Sequence, residues 1–487
     1  MTDTTFEPEI QPSELSHRAI LIVLIPLMLA SFIATLDQTI VATAIPGIGR
    51  GLHDTANSSW IATAYLLTSA VSTLILGKLG DMYGRKKVFQ FAIITFLAGS
   101  LLCGIANSLT LLIVFRAFQG IGGGGLSSLV QAITADLIPA RVRSKYMAYV
   151  GIVVTLALIA GPILGGVFVD ELSWRWIFFI NLPIGITALV ILAAKLHLPT
   201  KTAERSVDFA GGATSAVFIA AGLVVAGQGN AWGWVTGRTL VLLAVALVGL
   251  VVFLFIERRA AEPITPLGMF RSLVFSISSA QFFLSTLVLF AAMLYVPQLM
   301  IEVHHYSALE AGIFLIPLLA GLIAATGISG GAIAKTGHYK LWPIIGAILT
   351  GAGMLSISRL SATDPTWILG VLLFFVGAGI GFFVQVSVLA GQNAVDYSQL
   401  GVATGALNFF KTVGGAFGAA IFGAILVATN QHATGGVHDL MHGFQTVFLW
   451  TVPFMALALI LAIVMPEKPL SDHMHDIAAG KLEVNEY

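Results

Sequence analysis

One cysteine, Cys103, in 487 residues rules out a disulfide framework within one chain and any thiolate metal cluster. Charge is also scarce: Asp, Glu, Lys and Arg make up 10% of the chain, and 24 basic residues balance 24 acidic ones. No net field therefore argues for nucleic acid as a partner. HExxH, a CxxC pair and the GxxxxGK[ST] phosphate loop are all missing, and the loops are too short to hold an ATPase domain. These gaps argue against an enzyme, a bound metal or cofactor, and nucleotide as the energy source. What the chain has instead is apolar residues, 57% of the total, with a mean hydropathy of +0.93. Such a composition belongs to a polytopic membrane protein with the lipid bilayer as its main partner.

A hydrocarbon core of about 30 Å takes roughly 20 helical residues to cross. A window of that length finds fourteen candidate spans, at about 19–45, 57–77, 87–106, 109–135, 146–169, 175–196, 209–227, 239–256, 273–300, 308–333, 341–360, 366–390, 402–427 and 443–465. The segment before the first span is acidic and polar, the reverse of a secretory leader, so that span is expected to be retained. With both termini in the cytoplasm, only Arg50, Arg175, Arg238 and Arg359 fall in outer loops, and only Arg116 and Lys411 fall inside spans. The remaining basic residues lie on the inner side, as the positive-inside bias requires. The expected location is a cell membrane, with the short loops suiting a bacterial inner membrane.

GKLGDMYGRKK, residues 77–87, follows the second span, and GAIAKTGHYK, residues 331–340, follows the tenth. Each has a glycine entry, a charged centre, a second glycine and a basic exit. If spans seven and eight are an inserted pair, the two loops hold the same place in two six-helix halves, and transporters are commonly built from such repeats. The expected organisation is a tail at 1–18, a first bundle at 19–196, an additional pair at 209–256, a second bundle at 273–465 and a tail at 466–487.

A charge facing lipid costs several kcal/mol, so intramembrane carboxylates face a cavity or a partner. In LDQTIVATAIPGI, residues 36–48, Asp37 is the carboxylate well away from a membrane end, whereas Asp136, Asp208, Glu257 and Glu310 all fall near an interface. Two readings stand. Asp37 binds and releases a coupling proton, or it makes a structural hydrogen bond or cap near Pro46. Arg116 lies at about the same depth, roughly 10 to 12 Å at 1.5 Å per residue, so the two can pair if their helices adjoin.

The loop GKLGDMYGRKKVF resembles the signature of the major facilitator superfamily. LDQTIVATAIP, FRAFQGIGGG and GPILGG resemble further motifs of its proton-coupled drug antiporters. The fourteen spans, WIATAYLL (residues 60–67) and SWRWIFFINLPIGI (residues 173–186) resemble the fourteen-helix drug:proton antiporter branch. The likeness runs from about residue 19 to residue 466. It implies an all-α membrane protein of two six-helix bundles plus two additional central helices, moving by alternating access.

Several residue roles come with the resemblance. Arg116 is associated with proton transfer beside Asp37; a purely structural arginine, hydrogen-bonding carbonyls between helices, is the other reading. In the loop, Gly77 and Gly84 allow tight packing, Asp81 sits at the start of the thirteenth span near Val402, and Arg85 pairs with Asp136 as a latch between the halves; a topology signal alone, from Lys86 and Lys87, is the other reading. Gly161, Pro162, Gly165 and Gly166 of GPILGG seal the outer side of the cavity, which favours export; ordinary small-residue packing also accounts for those glycines. Phe290, Tyr295, Gln298, Phe382, Gln385, Asn408 and Phe410 are candidates for substrate contact in a mostly apolar cavity.

The expected activity is export of a lipophilic or cationic compound, such as an antibiotic, in exchange for protons, by a monomer. Export of a lipid or native metabolite is the alternative, and a non-transporting receptor a more distant one. Lys411 stands where the family more often has arginine, and it either snorkels to the inner interface or serves a nearby carbonyl or carboxylate. Trp174, Trp176, Trp232 and Trp234 read as interfacial anchors. The three histidines of HATGGVHDLMH, residues 432–442, read as a solvated loop rather than a metal site.

Overall fold

In lipid every backbone amide must find its partner within the protein, and the helix is the local solution to that demand. The computed structural model describes residues 17–55, 57–137, 140–195, 209–260, 263, 267–395, 400–430 and 437–467, and no strand occurs among them. The first half holds α1 (His17–Gly51), α2 (Trp60–Tyr83), α3 (Arg85–Gly104), α4 (Leu109–Leu137) and α5 (Ala140–Val167), then a π-helical turn Phe168–Leu172, α6 (Trp176–Phe179) and α7 (Asn181–Lys195). Next come α8 (Phe209–Trp232), α9 (Gly237–Arg259) and a 3-10 turn Leu267–Arg271. The second half holds α10 (Leu273–Glu302), α11 (Ala308–Ile313), α12 (Ile316–Thr336), α13 (Leu341–Ile357), α14 (Thr366–Asn393), α15 (Leu400–Asn430), α16 (Val437–Leu449) and α17 (Thr451–Val464). Among the described residues thirteen stretches are long and apolar enough to cross a membrane, and α13 is a shorter apolar helix at the place of the eleventh expected span.

The sixth, tenth and fourteenth spans, expected as single helices, are each broken in two. Each break starts after the residue four positions before a proline: Phe179 before Pro183, Ile313 before Pro317, and Leu449 before Pro453. Proline lacks the N–H that would bond that carbonyl, and its ring crowds the same oxygen. The first helix also departs from expectation, since it passes Pro46 and ends at Gly51. Close packing continues beyond the proline, with Gly47 against Val169 and Gly51 against Trp174.

The two halves pair their helices alike. α1 packs on α5 and α7 as α10 packs on α15 and α17; α4 packs on α2 and α3 as α14 packs on α12 and α13. The loops that echoed each other in sequence turn on the same device, a glycine at positive φ: Gly84 at 92° and Gly337 at 72°. The halves meet through α2 with α15, α5 with α11, and α1 with α10. α8 lies across α2 and α15, and α9 packs on α8, leaving Leu240, Val241, Leu247, Val248 and Phe255 exposed on a surface that suits lipid. We call the end of the bundle carrying the loops at Gly84 and Gly337 the basic end, and the opposite one the far end.

Candidate functional site

Asp37 is fully buried, and its carboxylate is surrounded by donors from two other helices. Arg116 Nη1 of α4 donates to Oδ2 at 2.5 Å, Gln119 Nε2 donates to Oδ1 at 2.9 Å, and Asn181 Nδ2 donates to Oδ1 at 3.0 Å. Arg116 also donates from Nη1 to Gln119 Oε1 at 2.7 Å and from Nε to the Ile61 carbonyl at 3.3 Å, which ties α2 to the site. Its guanidinium lies 4.2 Å from the Tyr65 ring centroid and 5.7 Å from that of Phe178. Ser100 of α3 accepts from Gln119 at 3.1 Å and from Asn181 at 2.9 Å, and donates to the Phe178 carbonyl at 3.0 Å. One buried ion pair thus holds α1 to α4, and neutral amides carry the network on to α3 and α7.

The sequence reading paired Asp37 with Arg116 but missed Gln119, Asn181 and Ser100. Gln119 was legible, because it stands three residues after Arg116 and so shares its helix face. Asn181 was a lone amide in an apolar run, but its reach depends on the break before α7. The amide belongs to the first residue after the interruption that Pro183 imposes.

At the far end the halves touch at backbone distance. A Cβ on Gly166 of α5 would collide with the backbone of Leu309, and one on Gly312 of α11 with the Pro162 carbonyl. Asp170, in the π-helical turn, accepts from the backbone amides of Ala308 at 3.1 Å and Leu309 at 2.8 Å. Its carboxylate thus sits on the N-terminus of α11 beside the capping box of Ser307 and Glu310, where a negative charge is favoured. Asp170→Asn should loosen this clasp by about 1 kcal/mol, a roughly fivefold rise in the ratio of far-end-open to closed molecules. Pulsed electron spin resonance between labels at His53→Cys and Asp364→Cys, in a Cys103→Ser background, would read that ratio; an unchanged distance distribution would remove Asp170 from the closure.

A family model described as Major Facilitator Superfamily matches residues 27–419. The chain belongs to that superfamily. It is 35% identical over 403 residues to multidrug transporter protein MdtP of Bacillus subtilis, covering 82% of this chain and 74% of the relative. It is 33% identical to an uncharacterized MFS-type transporter of Mycobacterium tuberculosis, covering 94% of this chain and 71% of the relative. The solved D-xylose-proton symporter superposes with a TM-score of 0.65 at 15% identity, covering 92% and 98% of the two chains, a likeness of fold alone. The protein is a multi-pass membrane transporter of the major facilitator fold, not an enzyme.

Within this superfamily fold the other expected residues take varied places. Gly161 and Gly165 press α5 onto Thr39, Ile40 and Thr43 of α1, inside one half; of the GPILGG glycines, Gly166 reaches across to the other. Arg85 donates to the Ala132 carbonyl. The side chains of Asp81 and Asp136 lie outside the described residues, and so does the segment just before α15; the expected latch falls there. Gly77 lies beside Ser128 of α4.

Among the candidate substrate contacts, Tyr295 is buried and donates to the Ala419 carbonyl at 2.9 Å, and Phe382 is buried with its ring centroid 5.0 Å from that of Trp342. Both are engaged in packing. Phe290 and Gln298 are also buried, whereas Gln385, Asn408 and Phe410 are half-buried. Trp174, expected as an interfacial anchor, is buried beneath the Arg175 guanidinium, 4.3 Å from its ring centroid, because Gly51 leaves room for it. Trp176 and Trp234 are exposed. His432 lies outside the described residues, while His438 and His442 are exposed in the first turns of α16.

Proposed function

We propose that this transporter exports lipophilic small molecules in exchange for protons by alternating access. The observation that carries the reading is the Asp37 site: a carboxylate with no solvent exposure, ion-paired to Arg116 and bonded to two amides. Adding one proton to Asp37 removes its charge, turns the charge-assisted bonds into ordinary ones and leaves Arg116 uncompensated in an apolar interior. The site therefore has two states of different packing preference. α1 carries that difference, because it bears Asp37, receives the glycines of α5 and touches α10 of the other half.

The positive-inside bias puts the basic end in the cytoplasm. The far end, closed by Gly166, Gly312 and Asp170, is then the outside. Names such as multidrug transporter and efflux pump among the relatives support export. One elementary charge crossing 100 mV is worth about 2.3 kcal/mol, enough for a cargo gradient of more than tenfold from a single proton.

Proteoliposomes with an imposed pH gradient test the reading. Cargo flux should be driven by the gradient and be accompanied by proton movement, and Asp37→Asn should abolish both while cargo still binds. Full gradient-driven transport by Asp37→Asn would overturn proton coupling at this site.

A further inference from the structure

Deep charge among the described residues falls on three side chains. About two turns or more from a helix end, the charged residues are Asp37, Arg116 and Lys411. The first two neutralise each other in a fully buried pair. Lys411 has no such partner: among the described residues no carboxylate lies within ion-pair distance, and its ammonium instead stands 5.8 Å from the ring centroid of Phe282.

Lys411 is nonetheless exposed, eleven residues into α15 from the basic end. The direction of that exposure follows from its helix face. Thr404, Asn408, Lys411 and Gly415 recur at helical spacing on one stripe of α15. Thr404 accepts from Gln392 of α14 at 2.8 Å, and a Cβ on Gly415 would meet the Phe290 ring of α10 at 2.9 Å. The stripe therefore looks into the bundle between α10 and α14. The helix that separates α15 from the lipid-facing α9 is α8, which meets α15 elsewhere, with Gly222 against Phe417. An ammonium at this depth that is both exposed and turned toward α10 and α14 needs water or a polar partner, as membrane-embedded lysines do. The nearest rings, Phe282 and Phe290, are buried, and the half-buried Phe410 lies one residue along.

We propose that Lys411 is the specificity-determining residue of the cargo site and that this transporter takes lipophilic acids, the carboxylate or sulfonate pairing with Lys411 and the apolar body lying beside the half-buried Phe410. A cationic cargo would meet an uncompensated like charge here. The acid that was expected to attract cations, Asp37, is fully buried and already satisfied by Arg116. The inference names the cargo class within the export reading above and rests on it only for direction of transport, since binding needs no gradient.

The test is equilibrium binding to purified protein in nanodiscs without a pH gradient, using 11-(dansylamino)undecanoate as the acid and tetraphenylphosphonium as the cation. Wild type should bind the acid more tightly than the cation. Lys411→Gln should weaken the acid by about tenfold or more and leave the cation unchanged or tighter, and Lys411→Arg should keep the acid within about threefold. To separate charge from folding, Lys411→Cys in a Cys103→Ser background is measured before and after reaction with 2-aminoethyl methanethiosulfonate, which should restore acid binding in the same molecules. Tighter binding of the phosphonium by wild type, equal weakening of both probes, or no recovery on aminoethylation would overturn the proposal. A failure of proton flux in Asp37→Asn proteoliposomes bears on coupling and leaves these binding results standing.

Discussion

Arg116→Met is expected to destabilise the protein by about 3 to 5 kcal/mol, because it leaves the Asp37 carboxylate buried without its counter-charge. The amides of Gln119 and Asn181 would still donate to Asp37 Oδ1, but Oδ2 would lose the Arg116 guanidinium. Asp37→Asn should be costly for the mirror reason, with a guanidinium left among the rings of Tyr65 and Phe178. The double variant Asp37→Asn with Arg116→Met removes both charges together. It should recover most of the loss, since replacing a buried pair with groups of similar volume is often close to neutral. Thermal unfolding of the four proteins in detergent forms the cycle. Additive losses in the double variant would show that the two residues are stabilised separately. The same cycle bears on mechanism, because a proton on Asp37 does chemically what Asn does: it removes the charge and keeps the shape.

A comparably large effect is expected from two adjacent glycines, but of different kinds. Gly165→Val should prevent correct folding, because a side chain there would be driven into Thr43 and lie 2.7 Å from the Ile40 carbonyl, separating α5 from α1 within one half. Gly166→Val should permit each half to fold, since its clash is with the backbone of Leu309 across the divide. The expected outcome is normal membrane insertion, loss of transport, and a far end held open. Ala308→Cys, buried in the closed state, would then become reactive toward a membrane-impermeant maleimide in a Cys103→Ser background. Slow labelling equal to that of the parent would place Gly166 outside the gate.

Much of the architecture was legible because membrane insertion leaves a coarse and strong signal. Length and hydropathy gave the spans, and the echo between residues 77–87 and 331–340 anticipated the repeat that the helix pairing displays. The prolines were visible as well, but not their consequences. Pro162 and Pro297 sit inside continuous helices, while Pro183, Pro317 and Pro453 follow breaks. Proline weakens a helix everywhere, and packing decides whether the helix survives.

The candidate site was half legible. Asp37 and Arg116 stood out as charges that lipid does not tolerate, and equal depth allowed them to pair. Asn181 and Ser100 did not stand out, because neutral polar groups are common in membrane helices and reveal their partners only in three dimensions.

The sequence by itself determined the class, the number of crossings, the bias of charge toward one end, and the short list of residues that must avoid lipid. Tertiary structure alone decided which way they turn. It closed Asp37 against Arg116, assigned Gly165 to one half and Gly166 to the boundary between halves, and left Lys411 exposed within 5.8 Å of the Phe282 ring centroid. The physical reason is that lipid tails are as apolar as leucine. A membrane helix therefore carries little contrast between the face that meets lipid and the face that meets protein, and the hydrophobic pattern that orients a helix in water has almost nothing to say here.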